Sequence, residues 1–104
     1  MQVRTKNPQL ASSLYEAILQ LRSVDEARMF FRDLLTEEEI SEFSLRWQVA
    51  QLLDTKMPYS EIEKTTGMSS TTIARISKWL AGGVGGYRLL IDRVKSLHHI
   101  GSDS

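Results

Sequence analysis

The chain has 104 residues, 41% hydrophobic, 25% charged and 8% aromatic, the size and make-up of one globular domain rather than a multidomain enzyme. It has no cysteine, which excludes a disulfide framework, a cysteine zinc site and a thiol nucleophile. Thirteen Lys and Arg balance thirteen Asp and Glu, yet residues 1–54 hold six cations against nine acids and residues 55–104 seven against four, so a polyanion would meet the second half. No apolar run approaches the roughly 18 residues that span a bilayer. The first eight residues show no hydrophobic signal stretch, and the cytoplasm is the expected location.

Apolar residues recur at helical spacing without strand alternation, so an all-α fold of six helices is expected. An N-terminal arm, residues 1–7, leads into a helix from Pro8 to Leu21, a second from Val24 to Leu35 and a long third from Glu37 to Asp54. Two short helices, Glu61 to Thr66 and Ser70 to Leu80, flank the turn Gly67-Met68-Ser69. A sixth runs from Tyr87 to Leu97, so residues 8–97 form the helical body and 98–104 a flexible tail. Three helix starts carry a hydroxyl residue followed three positions later by Glu: Ser23 with Glu26, Thr36 with Glu39, Ser60 with Glu63. Each predicts a capping box. The glycines Gly82-Gly83 and Gly85-Gly86 stop the fifth helix and act as a hinge; with no P-loop Lys and no preceding strand, they do not suggest a phosphate cradle.

At 100° steps the third helix is apolar on two sides. Ile40, Phe43, Trp47 and Ala50 share one face, while Leu45, Val49 and Leu52 lie roughly opposite. A surface helix needs one apolar stripe, so this helix belongs between two layers, which a homodimer would supply. The alternative is that the first two helices cover the second face.

The stretch Tyr59 to Lys78, YSEIEKTTGMSSTTIARISK, has helix-turn-helix spacing. Gly67 sits where positive φ is useful, and Ile62, Met68, Ile73 and Ile76 fall where the seam between two short helices needs apolar groups. Thr66 stands at a position usually aliphatic and Glu63 at one usually small. With Ile73, Ile76 and Leu80 turned inward, the outer face of the second short helix carries Thr71, Ala74, Arg75 and Lys78, without an acid. In a major groove, hydroxyls can donate or accept, Ala74 can touch a thymine methyl, and Arg75 can fork onto guanine. Ser69, Ser70 and Thr72 open that helix, where they serve as caps or as phosphate contacts. Tyr59, Ser60 and Lys64 on the first short helix are candidates for the nucleic-acid backbone.

Two pieces, LLTEEEISEFSLRWQVAQLL and EIEKTTGMSSTTIARISKWL, resemble the central helix and reading head of the tryptophan-repressor superfamily, particularly its small YerC/YecD-type branch. The resemblance implies an intertwined all-helical homodimer that binds double-stranded DNA, at a palindromic operator, in a bacterial cytoplasm and on the nucleoid when bound. It also locates a vestigial ligand pocket. Thr36, Arg46 and Arg75 match the Thr and Arg positions of the family's corepressor site, whereas its small Gly and Ser positions correspond to Ile76 and Trp79. The Trp79 indole is expected to occupy the space a free indole needs, so no tryptophan dependence is expected.

Other candidates have ordinary explanations. Trp47 reads as core, and Arg46 fits a helix-surface ion pair as well as a ligand role. His98 and His99 are adjacent and cannot share a helical face as zinc ligands do, so no metal site and no cofactor are expected. Glu37, Glu38 and Glu39 occupy a first helical turn, where acids complement the dipole. No nucleophile stands with a base, so the chain does not read as an enzyme. The expectation is a sequence-specific transcriptional regulator. A helix-turn-helix adaptor that grips protein, or a regulator gated by another small ligand, is the alternative.

Overall fold

A computed structural model describes residues 7–102, with side chains through His98. Most of the expected arm, residues 1–6, and the tail end, 103–104, lie outside the described residues. Six helices and no strand are present among the described residues: α1 (Pro8–Leu19), α2 (Val24–Leu34), α3 (Glu37–Asp54), α4 (Tyr59–Thr66), α5 (Ser70–Gly82) and α6 (Gly86–Ser102). The chain divides into two compact units, residues 1–40 and 41–104, with α3 crossing the boundary.

Local chemistry sets the helix starts. Asn7 caps α1, its Oδ1 accepting from the amides of Gln9 at 2.9 Å and Leu10 at 3.3 Å, with Pro8 just inside the helix. α1 stops at Leu19, short of the expected Leu21, because Gln20 and Leu21 make tighter bonds to carbonyls three residues back. Ser23 Oγ accepts from Glu26 N at 3.0 Å, but the Glu26 carboxylate turns to Arg22 N, so only half of that box closes as written. Thr36 and Glu39 form the full reciprocal pair, at 3.1 and 2.9 Å. The third box does not form. Pro58, extended at φ −63° and ψ 149°, takes the cap position of α4 without a side-chain bond, which places Ser60 inside the helix rather than at its entrance.

In the first unit no residue of α1 or α2 is buried. Leu19 and Val24 are 80% and 82% exposed, and Leu10 and Met29 are also open. Arg28 pairs with Asp25 and Arg32 approaches Glu37 at 3.8 Å, both exposed pairs worth little to stability.

The second unit holds the core: Val49, Ala50, Ile62, Ile73 and Ile76 are fully buried and Ile91 nearly so, with Trp47, Leu52, Leu53, Met57, Met68, Leu80 and Tyr87 packed against them. Both predicted faces of α3 contribute to this one cluster through Ala50 and Trp47 on one side and Val49 and Leu52 on the other. Its C-terminal half is therefore enclosed, whereas Phe43 remains 48% exposed.

The link from α3 to α4 is a tight joint. Met57 N donates to Leu52 O at 3.3 Å and Lys56 N to Leu53 O at 3.0 Å, the two bonds of a Schellman motif, with Leu52 and Met57 packed on the core. The left-handed position, φ 71°, falls on Lys56 rather than glycine. At the other end, α5 runs two residues past the expected Leu80. Gly83 follows because a Cβ there would stand 2.6 Å from the Trp79 carbonyl oxygen. α6 starts at Gly86 and continues through residues 98–102, which were expected as tail.

Candidate nucleic-acid interface

α4 and α5 are joined by Gly67, Met68 and Ser69, with Gly67 left-handed at φ 77° and its amide donating to Glu63 O at 2.8 Å. No heavy atom lies within 4 Å of a Cβ built on Gly67, so glycine is needed there for its backbone conformation and not for space. Ile62, Ile73 and Ile76 are buried in the seam and Met68 packs beside them, as the spacing predicts. Thr66, the residue at a usually aliphatic position, is half-buried and satisfied: its hydroxyl donates to Ile62 O at 2.7 Å and accepts from Met68 N at 3.1 Å. A threonine thus closes the turn with hydrogen bonds where a larger apolar group would close it by packing.

α5 begins with Ser69 as its cap. Ser69 Oγ accepts from Thr72 N at 3.2 Å and donates to Thr72 Oγ1 at 3.1 Å, which commits these two hydroxyls to the helix start. Ser70, Thr71, Ala74, Arg75 and Lys78 are all exposed. Among the described residues their side chains have no hydrogen bond or ion pair, and no acid lies on α5. Tyr59, Ser60 and Lys64 on α4 are likewise exposed, with Glu61 beside them and Glu63 half-buried.

Several cations elsewhere are engaged: Arg28 by Asp25, Arg46 by Glu42, and both Arg88 and Lys95 by Asp54. Asp54 ends α3, where a carboxylate opposes the helix dipole. Its Oδ1 accepts from both terminal nitrogens of Arg88, from Nη1 at 2.9 Å, and its Oδ2 accepts from Lys95 Nζ at 2.9 Å. Its side chain is only 14% exposed. The Lys95 hydrogen bond holds the Asp54 carboxyl below its ordinary range; burial works against this, and the charges of Arg88, Lys95 and Lys56 add to it. Arg88 and Lys95 belong to the cationic second half of the sequence, and nothing local in the residue order marks their pairing with Asp54, 34 and 41 residues away. The one local signal, for Asp54 alone, was a helix ending on an acid.

The proposed pocket residues have separate local roles. Thr36 caps α3; Arg46 holds Glu42 at 2.5 Å and lies 5.9 Å from the Phe43 ring centre. Ile76 belongs to the core. Trp79 is 45% exposed and lines an open, largely apolar cleft with the Gly82–Gly86 segment and Tyr87. Among the described residues no three His, Asp or Glu converge as metal ligands, and no helix is long and apolar enough to cross a membrane.

An all-helical chain whose core closes around two short helices and a glycine turn is a helix-turn-helix protein. It belongs to the Trp repressor family, whose model matches residues 9–95. It is 36% identical to the uncharacterised Bacillus subtilis (strain 168) protein YerC over 95 residues, 91% of each chain. The crystal structure of a TrpR-like protein from Eubacterium eligens superposes with a TM-score of 0.81 at 38% identity, over 86% of this chain and 92% of that one. A Staphylococcus aureus structure, provisionally assigned as a Trp repressor, gives 0.81 at 35% identity over 91% and 95%. The family is one of regulators, not enzymes.

Proposed function

We propose that this protein is a sequence-specific DNA-binding transcriptional regulator, acting as an intertwined homodimer that presents two copies of α5 to successive major grooves of a palindromic operator. The observation that carries this reading is the outer face of α5: exposed hydroxyls, Ala74 and two unengaged cations, Arg75 and Lys78, on a helix without acids and held rigidly by the buried Ile73 and Ile76. Hydroxyls and Arg75 suit base edges, and Lys78 and Lys64 suit phosphate. The family and its two solved relatives support the fold that such reading requires. The dimer is favoured by the open apolar side chains of α1 and α2, helices in which no residue is buried.

Selection of bound duplexes from a random library tests the proposal. Recovery of a palindrome supports both recognition and two-fold symmetry; a pool that stays random transfers the helix-turn-helix to protein gripping. Tryptophan is not part of this function. Ile76, where the resemblance has a small residue, is locked in the core, so calorimetry with free tryptophan should show no stoichiometric binding and its addition no change in DNA affinity.

A further inference from the structure

The positive charge of the second half is not spread evenly over its surface. α6 carries Arg88, Arg93 and Lys95 against a single acid, Asp92, a composition that by itself would make a second polyanion-binding helix. Arg88 and Lys95 are seven residues apart and share one face of α6, and Asp54 at the end of α3 takes both of them on its two oxygens. Asp92 approaches Arg88 at 3.7 Å from the outside. The four groups sum to zero charge, which leaves Arg93 as the cation of α6 without a partner among the described residues. On α4 and α5, by contrast, Lys64, Arg75 and Lys78 have none.

We propose that Asp54 is a specificity-determining residue: by neutralising Arg88 and Lys95 it withdraws two of the three Lys and Arg side chains of α6 from nucleic-acid contact and biases polyanion binding towards the α5 face. This rests on the assignment of α5 as the reading helix. The reason is energetic. Each cation that meets phosphate adds affinity for every sequence alike through counterion release, so two further free cations would raise nonspecific binding without improving discrimination. Asp54 is well placed to act this way because it is largely buried and its bonds to both cations are direct, so a passing phosphate would have to displace a carboxylate already seated.

The test is the salt needed to elute each variant from immobilised heparin, a polyanion that requires no operator. Asp54→Asn should elute later than the wild type and later than Asp33→Asn, which removes the same charge from an exposed position. On random-sequence duplex DNA, its plot of log affinity against log salt should steepen by up to about two counterions. Arg88→Gln and Lys95→Gln, made singly so that Asp54 keeps one cation, should elute close to the wild type, whereas Lys78→Gln should elute earlier. The proposal is overturned if Asp54→Asn elutes with Asp33→Asn, or if Arg88→Gln or Lys95→Gln elutes as early as Lys78→Gln. The two Gln variants carry the test on their own should circular dichroism show Asp54→Asn unfolded. If Lys78→Gln elutes with the wild type, the reading-helix assignment fails, and that result is separate from the Asp54 comparison.

Discussion

Arg75 and Lys78 are three residues apart on one exposed helix, yet their contributions to DNA binding should differ in kind. An arginine that forks onto guanine selects a base, whereas a lysine on phosphate adds affinity for all sequences. Arg75→Ala should therefore cost about 1–3 kcal/mol on the selected operator and relax the choice at one position per half-site. Lys78→Ala should weaken all duplexes alike and lower the salt slope by about one. Neither side chain touches the core, so circular dichroism should be unchanged; titration of single-base operator variants at two salt concentrations separates the two roles. Asp54 makes a different prediction, about pH. Its folded pKa lies below the 3.8 of an ordinary aspartate, so its stabilising contribution is complete above that value and is lost as pH falls through the folded pKa. Asp54→Asn should be less stable than the wild type at neutral pH, with the difference shrinking in acid. Urea midpoints measured from neutral pH downward test this; a gap that stays constant would show that Asp54 contributes through packing alone.

At the scale of the helix, the joint between α3 and α4 is the informative element. Its hydrogen bonds are those of a glycine-terminated helix, yet the left-handed residue is Lys56. A side chain with a Cβ costs about 1–2 kcal/mol in that conformation, part of which glycine gives back through its freer unfolded chain. Lys56→Gly should accordingly raise stability by about 0.5–1 kcal/mol, read as a higher urea midpoint at unchanged slope; a drop would show that the Lys56 side chain contributes more than its backbone costs. Nothing in the residue order marks Lys56 as left-handed, since the preference it overrides is statistical and the geometry is set by Leu52 and Met57 meeting in the core. Elements written in local pattern were legible: all six helices, the Ser23 cap though not the reciprocal Glu26 bond expected with it, the full box at Thr36, and the turn at Gly67 with its apolar seam. What escaped depends on distant partners or on competition. Ser60 lost the cap position to Pro58, whose fixed φ starts the helix earlier, and the residues after Leu97 stay helical. The Asp54 network joins residues 34 and 41 positions apart, whereas the exposure of Thr71, Ala74, Arg75 and Lys78 was legible because they lie on one short helix.

For the whole molecule, the uneven distribution of burial is the main fact. One unit has a dense isoleucine-rich core, and the helices of the other bury no residue. Under the proposed dimer, association supplies the missing layer, so the melting temperature should rise with protein concentration, and light scattering at micromolar concentration should give twice the chain mass. A helical particle of 11.8 kDa that persists under those conditions would remove the intertwined dimer.

The short link at Lys56 also separates two traits of such a regulator. Under the proposed dimer, the spacing between paired reading helices would be inherited from α3 and the link Thr55, Lys56, Met57 and Pro58 that turns the chain, while the bases chosen would depend on side chains that project from α5. On that reading, changes at Thr71, Ala74 or Arg75 should retarget the protein without altering operator length. Duplicated copies of such a gene could therefore diverge in the sites they control by altering a few exposed residues, each keeping the same buried scaffold.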